Sequence, residues 1–269
     1  MRSNGMKAAW REGRAALGGW LSLANPPGAE AAAGLGFDYL CVDLQHGLAD
    51  YAQMLSMLLA IGPAEVTPIV RAPWNEPGVI GRALDAGAMG VVIPMVNSAD
   101  EAARAVSACR YAPAGTRSYG PVRAARYAGA GYFDEANAEV ACIPMIETVQ
   151  AVERLDEILD VEGIDAVYVG PADLAVSMGL RPGLDQADAD WNEALRLVVA
   201  GCAKRGIAPG IHAAAHLAAA RAEAGFRMIT ISGDFLALEA GMRADVRTAR
   251  AALDGSAAAA QPGPAGRVY

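Results

Sequence analysis

Short apolar runs rich in β-branched residues alternate with longer alanine-rich stretches of helical period along nearly the whole chain. The short runs are Gly19–Leu23, Tyr39–Asp43, Thr67–Arg71, Gly90–Pro94, Val140–Ile146, Ala166–Val169, Ile207–Ile211 and Met228–Ile231. Most are continuously apolar rather than alternating, as expected of strands covered on both faces. Between them, Tyr51–Ile61, Val79–Ala86, Ala99–Tyr111, Val149–Leu159, Trp191–Arg205, Ala213–Ala224 and Leu236–Leu253 read as amphipathic helices. Eight such alternations predict a closed parallel (β/α)₈ barrel, a TIM barrel, as one α/β domain over residues 1–254. The rival is an open doubly wound sheet, but no Gly-x-Gly-x-x-Gly follows an early strand.

Glycine closes several helical runs where a left-handed cap is expected, at Gly34 and Gly36, Gly87, Gly163, Gly206 and Gly225. The segment Ala112–Glu139 is long for a connection and rich in Arg, Tyr and Gly, which suggests a functional insertion or a subunit contact. The Ala/Pro/Gly-rich tail, residues 255–269, reads as disordered.

Composition narrows the function. A net charge of −8 argues against nucleic acid or an anionic membrane as partner. No apolar run is long enough to span a bilayer, and no apolar segment backs the N-terminal residues as in a signal peptide, so cytoplasmic residence is the default expectation. The four cysteines, Cys41, Cys109, Cys142 and Cys202, lack paired spacing and read as reduced packing residues. Only two lysines, Lys7 and Lys204, stand against twenty arginines, and neither falls at the C-terminal tip of a strand. Schiff-base chemistry therefore has no nucleophile at the barrel mouth.

Barrel active sites form at those C-terminal tips. There the chain places Trp20, Asp43-Leu-Gln45-His46-Gly47, Arg71, Glu147, Asp173 and His212. Glu147 and Asp173 each admit a helix-start reading, as an acid favoured by the helix dipole or as an N-cap. On consecutive strands they also form a pair of hard oxygen ligands suited to Mg²⁺ or Mn²⁺. Arg71 could pair with a nearby carboxylate or grip a substrate carboxylate in bidentate fashion. Asp43 lies three residues before His46, close enough to orient its imidazole, although a purely structural histidine is the alternative. Trp20 reads equally as pocket wall or barrel packing.

Asp43-Leu-Gln-His-Gly47, Arg71-Ala-Pro-Trp-Asn75, Val92-Ile-Pro-Met95, Arg110-Tyr-Ala-Pro-Ala-Gly115, Ile143–Thr148 and Val169–Leu174 together resemble the HpcH/HpaI aldolase/citrate lyase family. The nearest resemblance is to its class II, metal-dependent pyruvate aldolases, over about residues 15–250. This resemblance implies a reversible aldol reaction between a 2-oxo acid, pyruvate or hydroxypyruvate, and an aldehyde, through a metal-stabilised enolate. Glu147 and Asp173 would ligate Mg²⁺, Mn²⁺ or Co²⁺, with no organic cofactor. Arg71 would hold the pyruvate moiety, and His46, oriented by Asp43, would move the proton. The amides of Ala172 and Asp173 would bind the substrate carboxylate, and Trp20 would line the pocket. It also implies homohexamers with the last helix exchanged between subunits.

The chain departs from the family pattern at Gln45, where many members carry glutamate, at Met145, and at His212, where an aliphatic residue is usual. These departures bear on the substrate, and the aldehyde pocket is assigned to loops of this chain or of a neighbouring subunit, including Ala112–Glu139 and His212. Two other readings compete with this one. A citramalyl- or malyl-CoA lyase would need a basic groove, for which Arg117, Arg123 and Arg126 are the available cluster. A non-catalytic barrel binding an oxo acid would leave the Asp43 and His46 pair without a task.

Overall fold

The computed structural model describes residues 1–254, so the tail expected to be disordered lies outside the described residues. Eight parallel strands close into a barrel in sequence order: β1 Ala16–Leu21, β2 Tyr39–Asp43, β3 Thr67–Arg71, β4 Gly90–Ile93, β5 Ala141–Ile146, β6 Ala166–Val169, β7 Ala208–His212 and β8 Met228–Gly233. Strand β8 pairs with β1 and completes the closure, with a register shift between Gly18 and Gly19. The predicted TIM barrel is thus the observed fold. The first expected strand begins three residues late, and the others agree within two residues at each end.

Continuous apolar strands arise because each strand faces two cores. Leu40, Val42, Val70, Val91, Cys142, Val167 and Ile211 point outward into a layer shared with the surrounding helices. Tyr39, Cys41, Ile69, Val92, Ile143, Met145, Tyr168 and Met228 point inward and fill the barrel. Successive strand residues alternate faces. The same inward parity, continued to the strand tips, carries Trp20, Asp43, Arg71, Glu147 and His212 onto the interior rim.

Helices that were not read in the sequence span Gly5–Arg11, Pro26–Ala33, Ala124–Ala128, Tyr132–Glu139 and Pro171–Ser177. The first plugs the N-terminal end of the barrel, with Met6 and Ala9 buried in the interior core. Its buried N-cap Asn4 accepts from the Lys7 amide and donates to the carbonyls of Met89 and Glu139. Lys7 pairs with Asp165, just before β6, so this lysine sits at the end opposite the mouth. The helix expected over Val149–Leu159 is interrupted at Arg154, and that expected over Ala213–Ala224 opens with a 3₁₀ turn, Ala215–Leu217. Gly206, at φ +67°, gives the left-handed cap that returns the chain into β7.

The segment 112–139 joins the helix Ala99–Cys109 to β5, and so lies at the N-terminal end. Its small core of Tyr111, Ala124, Ala128, Tyr132 and Ala136 is its own. Arg123 donates to the carbonyls of Leu58 and Ala86, and Arg117 donates to Asp85 and to the Tyr132 hydroxyl. Within the chain this corrects the expectation that Ala112–Glu139 helps build the aldehyde pocket. It also removes Arg117 and Arg123 as a free basic groove for a CoA nucleotide. Arg110, in the Arg110–Gly115 motif, likewise binds the carbonyls of Val140 and Gly163 and the Asp165 carboxylate, a structural role at the same end. All four cysteines are free and buried. No helix among the described residues is long and apolar enough to cross a membrane.

Candidate active site

Asp43, at the tip of β2, is the hub of the rim. Its register partner across the β2–β3 ladder is Arg71, which places a carboxylate beside a guanidinium at two adjacent tips. Arg71 Nε donates to Asp43 Oδ1 at 2.9 Å and Nη2 to Oδ2 at 2.5 Å. Trp20 Nε1 donates to Oδ2 at 3.1 Å, and the amides of Gln45 and His46 donate to Oδ1 at 2.9 and 3.2 Å. Burial would raise the Asp43 carboxyl, but the Arg71 guanidinium and these donors hold it below its ordinary value. Both members of the pair are buried, and the two Asp43 oxygens are matched by Arg71 Nε and Nη2, as a buried ion pair requires.

Two expectations change here. The side-on edge of Arg71, Nε and Nη2, is taken by Asp43, which leaves only the end-on edge, Nη1 and the second Nη2 hydrogen, for a substrate. Asp43 reaches His46 through its backbone amide, not its ring. The His46 imidazole is exposed and has no hydrogen-bond partner among the described residues. Asp43 therefore fixes the loop that carries His46 rather than the tautomer of His46. Gln45 Oε1 is buried with no partner among the described residues.

Glu147 follows β5 and is buried at the opposite side of the mouth. Its Oε1 accepts the amide of Met95 at 2.8 Å. Met95 holds a left-handed backbone, φ +56°, which non-glycine residues rarely adopt. Asn97 steadies that turn by donating to the Met95 carbonyl, and in turn accepts from the Thr148 hydroxyl. Glu147 Oε2 has no hydrogen-bond partner among the described residues and remains open to the site. Burial, with Asp173 nearby, pushes the Glu147 carboxyl up from 4.5 to about 7, against the opposing Met95 amide and Arg71.

The β5–β6 ladder pairs Ile146 with Val169, so Glu147 and Gly170 stand level at the two tips. A Cβ on Gly170 would lie 2.4 Å from Glu147 Oε2, so only glycine leaves room for that oxygen. Gly170 caps the helix Pro171–Ser177, whose first turn contains Ala172 and the exposed Asp173. The amides of Ala172 and Asp173 are first-turn donors without helical acceptors.

These residues fit a divalent cation that keeps water in its shell. A desolvated carboxylate with one free oxygen lies within electrostatic reach of a second, exposed carboxylate, and both are hard donors. Among the described residues no group of three or more His, Cys, Asp or Glu gathers to form an all-protein cage. That donor set suits Mg²⁺-type coordination and not a structural zinc site.

Trp20 proves to be both wall and packing. Its indole stacks on Tyr168, with centroids 5.5 Å apart, meets His212 edge-on at 5.2 Å, and lies 5.0 Å from the Arg71 guanidinium carbon. A cavity of about 470 Å³ opens beside it, lined by Trp20, Asp43, His46, Arg71 and His212 and by residues of the β8 end, including Ser232 and Phe235. The sequence reading missed Met95, whose amide holds Glu147, and Tyr168, which underlies Trp20. The inward parity of Tyr168 on β6 was the signal for the second; nothing in the sequence announces the turn at Met95.

A parallel eight-stranded barrel with this polar rim at its C-terminal mouth is the arrangement of a barrel enzyme. The HpcH/HpaI aldolase/citrate lyase family model matches residues 16–237, and the chain belongs to that family. A hydroxypyruvate/pyruvate aldolase of Rhizorhabdus wittichii is 39% identical over 249 residues, covering 92% of this chain and 99% of its own. A 4-hydroxy-2-oxo-heptane-1,7-dioate aldolase of Escherichia coli is 40% identical over 211 residues, covering 77% of this chain and 80% of its own. The crystal structure of a family member from Burkholderia cenocepacia superposes with a TM-score of 0.85 at 37% identity, covering 92% of this chain and all of that one.

Proposed function

We propose that the chain is a class II aldolase, joining and cleaving a 2-oxo acid and an aldehyde with the help of a divalent cation held by Glu147 and Asp173. The observation that carries the reading is Glu147: a buried carboxylate with one oxygen tied to a strained backbone amide and the other left free over a glycine. Uncompensated burial of a carboxylate is unfavourable, and a cation in front of it removes that penalty. When bound, the cation supplies a Lewis acid for the carbonyl of the 2-oxo acid; Mg²⁺ or Mn²⁺ is the match to the donors, with Co²⁺ a third candidate.

Arg71 holds the carboxylate of the 2-oxo acid by its end-on edge, and the amides of Ala172 and Asp173 meet the same head from the other side. Asp43 keeps the Arg71 guanidinium in one orientation by occupying its side-on edge. In cleavage, the C4 hydroxyl loses its proton to His46, directly or through a water. The C3–C4 bond then breaks, and its electrons move toward the C2 carbonyl oxygen. Addition reverses these steps, with His46 returning the proton. The buried Trp20 and Tyr168 form the dry floor of the site. Pyruvate and hydroxypyruvate are the proposed donors, by likeness to the relatives' names.

The helix Asp234–Leu253 supports the proposal of a homo-oligomer, a hexamer with this helix exchanged. None of its residues is buried, and Phe235, Leu236, Leu238, Met242 and Val246 are exposed on it, which is unfavourable for a free monomer. The functional test is chelation: EDTA should abolish pyruvate release from a 4-hydroxy-2-oxo acid, and Mg²⁺ or Mn²⁺ should restore it. Full turnover by protein verified as metal-free would refute the role of Glu147 and Asp173.

A further inference from the structure

Three buried hydroxyls and one imidazole form a single file from the barrel interior to the rim. Tyr39 Oη lies 2.9 Å from Thr230 Oγ1, Thr230 Oγ1 lies 2.5 Å from Tyr168 Oη, and Tyr168 Oη lies 3.3 Å from His212 Nδ1. Glycines on neighbouring strands make room for the two phenols. A Cβ on Gly18 would fall 2.0 Å from the Tyr39 ring, and one on Gly210 would fall 2.8 Å from the Tyr168 ring. Burial pushes both phenols well above their ordinary range, so each keeps its proton.

Counting hydrogens selects one arrangement. Tyr39, Thr230 and Tyr168 each have a single O–H to donate. If Tyr39 donates to Thr230, Thr230 to Tyr168 and Tyr168 to His212 Nδ1, every hydrogen has an acceptor. If the file runs the other way, from a His212 Nδ1–H, the Tyr39 hydroxyl hydrogen is left, among the described residues, with only the Tyr168 oxygen, which lies beyond the 2.9 Å contact to Thr230 and is a poorer acceptor. If both tyrosines donate to Thr230, the Thr230 hydrogen is the one stranded. Burying an unpaired donor costs about 1–3 kcal/mol, so the first arrangement wins and Nδ1 is the acceptor. The single hydrogen of the neutral ring is then on Nε2. Burial, with the positive Arg71 nearby, pushes the imidazole down to about 4 against the opposing Asp43, so the ring is neutral at ordinary pH. Nε2 has no protein partner among the described residues and is not sealed from the cavity.

The place of that N–H in the site decides what it meets. The cavity beside His212 runs from Arg71 toward the β8 end, past Ser22 and Ser232, and neither Glu147 nor Asp173 lines it. With the 2-oxo acid head between Arg71 and the two carboxylates, this space is left for the aldehyde. We infer that His212 is a specificity-determining residue: the hydroxyl file holds it as the Nε2–H tautomer, and it donates a hydrogen bond to the hydroxyl next to the carbonyl of a hydroxyaldehyde. The inference rests on the aldolase reading above. A donor aimed into a half-buried cavity discriminates against an alkyl group of the same size, because that group leaves the N–H unpaired.

Glycolaldehyde and propanal have the same number of heavy atoms and differ by OH against CH₃, so their kcat/KM ratio, measured with pyruvate as donor, isolates that contact. The ratio should favour glycolaldehyde in the wild type and fall about tenfold in His212→Leu, the scale of one net hydrogen bond. In Tyr168→Phe it should fall part of the way, because the ring loses the partner that selects its tautomer. Long-range ¹H–¹⁵N spectra of the resting protein, with His212 assigned by its absence in His212→Leu, should show hydrogen on Nε2 and none on Nδ1. Tyr168→Phe should move that signal toward a mixture of tautomers. Hydrogen on Nδ1 in the wild type, or an unchanged ratio in His212→Leu, would overturn the inference. So would a loss confined to hydroxypyruvate relative to pyruvate, which would place the contact on the donor. Failure of the metal-loaded wild type to turn over either aldehyde would instead overturn the aldolase reading and the substrate half of this one, while the spectrum would still decide the tautomer.

Discussion

Replacing Glu147 with glutamine should make the metal-free protein more stable and inactive at once. The carboxyl is buried, and its pKa is pushed from 4.5 to about 7. At about 1.4 kcal/mol per pH unit, the ionised form therefore destabilises the metal-free fold by about 3 kcal/mol at most. The folded state binds this proton more tightly than the unfolded chain does. Its contribution to stability is thus fully present below pH 4.5, is lost as pH rises through 7, and stays lost above. A neutral Glu147→Gln side chain keeps an oxygen for the Met95 amide and has no such pH dependence. Calorimetry on chelator-treated proteins should show the variant level with the wild type near pH 4.5. At pH 8 it should melt higher, by roughly 5–10 °C if the full figure applies to a chain of this size. Common titrations cancel in the difference between the two proteins. Adding Mn²⁺ at pH 8 should raise the wild-type melting temperature and leave that of the variant nearly unchanged. A melting difference that does not grow between pH 5 and pH 8 would refute the account of Glu147 as a carboxylate strained by burial and relieved by a cation.

Arg71→Ala should destabilise the fold by about 3–5 kcal/mol by leaving Asp43 charged and buried. The double variant Arg71→Ala/Asp43→Asn should recover much of that loss without regaining activity, as chemical denaturation and turnover would show. Gly170→Ala should weaken Mn²⁺ binding at least tenfold in titration calorimetry while the fold persists, since the new Cβ would sit 2.4 Å from Glu147 Oε2. Asn4→Ala should lower stability by about 1–2 kcal/mol in a melt through loss of the buried N-cap, with kcat unaffected because the plug helix lies at the far end of the barrel.

Much of the barrel was legible because its signal is local. A strand buried on both faces must be apolar along its length, and a helix packed on a barrel must repeat its apolar residues at helical spacing. The tip residues Asp43, Arg71 and Glu147 were legible for the same reason: each is a charge ending an apolar run, and each shares the parity of the inward residues behind it. The helices Gly5–Arg11 and Pro26–Ala33 were missed because they are seven or eight residues long, too short for periodicity to show. Segment 112–139 reads in the sequence as a functional insertion or a subunit contact, because it is long and rich in Arg, Tyr and Gly. Its position between a helix and the next strand puts it at the end opposite the mouth, where Arg117 and Arg123 bind the barrel.

The sequence by itself therefore determined the order of the strands and of the longer helices, the absence of a lysine at the strand tips, and the charged side chains that end the strands. Pairing among those side chains was a matter for the tertiary structure. Asp43 is three residues from His46 in the chain, yet its carboxylate bonds Arg71 from the next strand, because the parallel register sets those two tips level. Tyr39, Tyr168, Thr230 and His212 come from four strands, with Tyr39 and Thr230 191 positions apart, and meet only because barrel closure brings β8 beside β1. Contacts of that kind depend on register and curvature summed over the whole sheet, and no local pattern of residues encodes them.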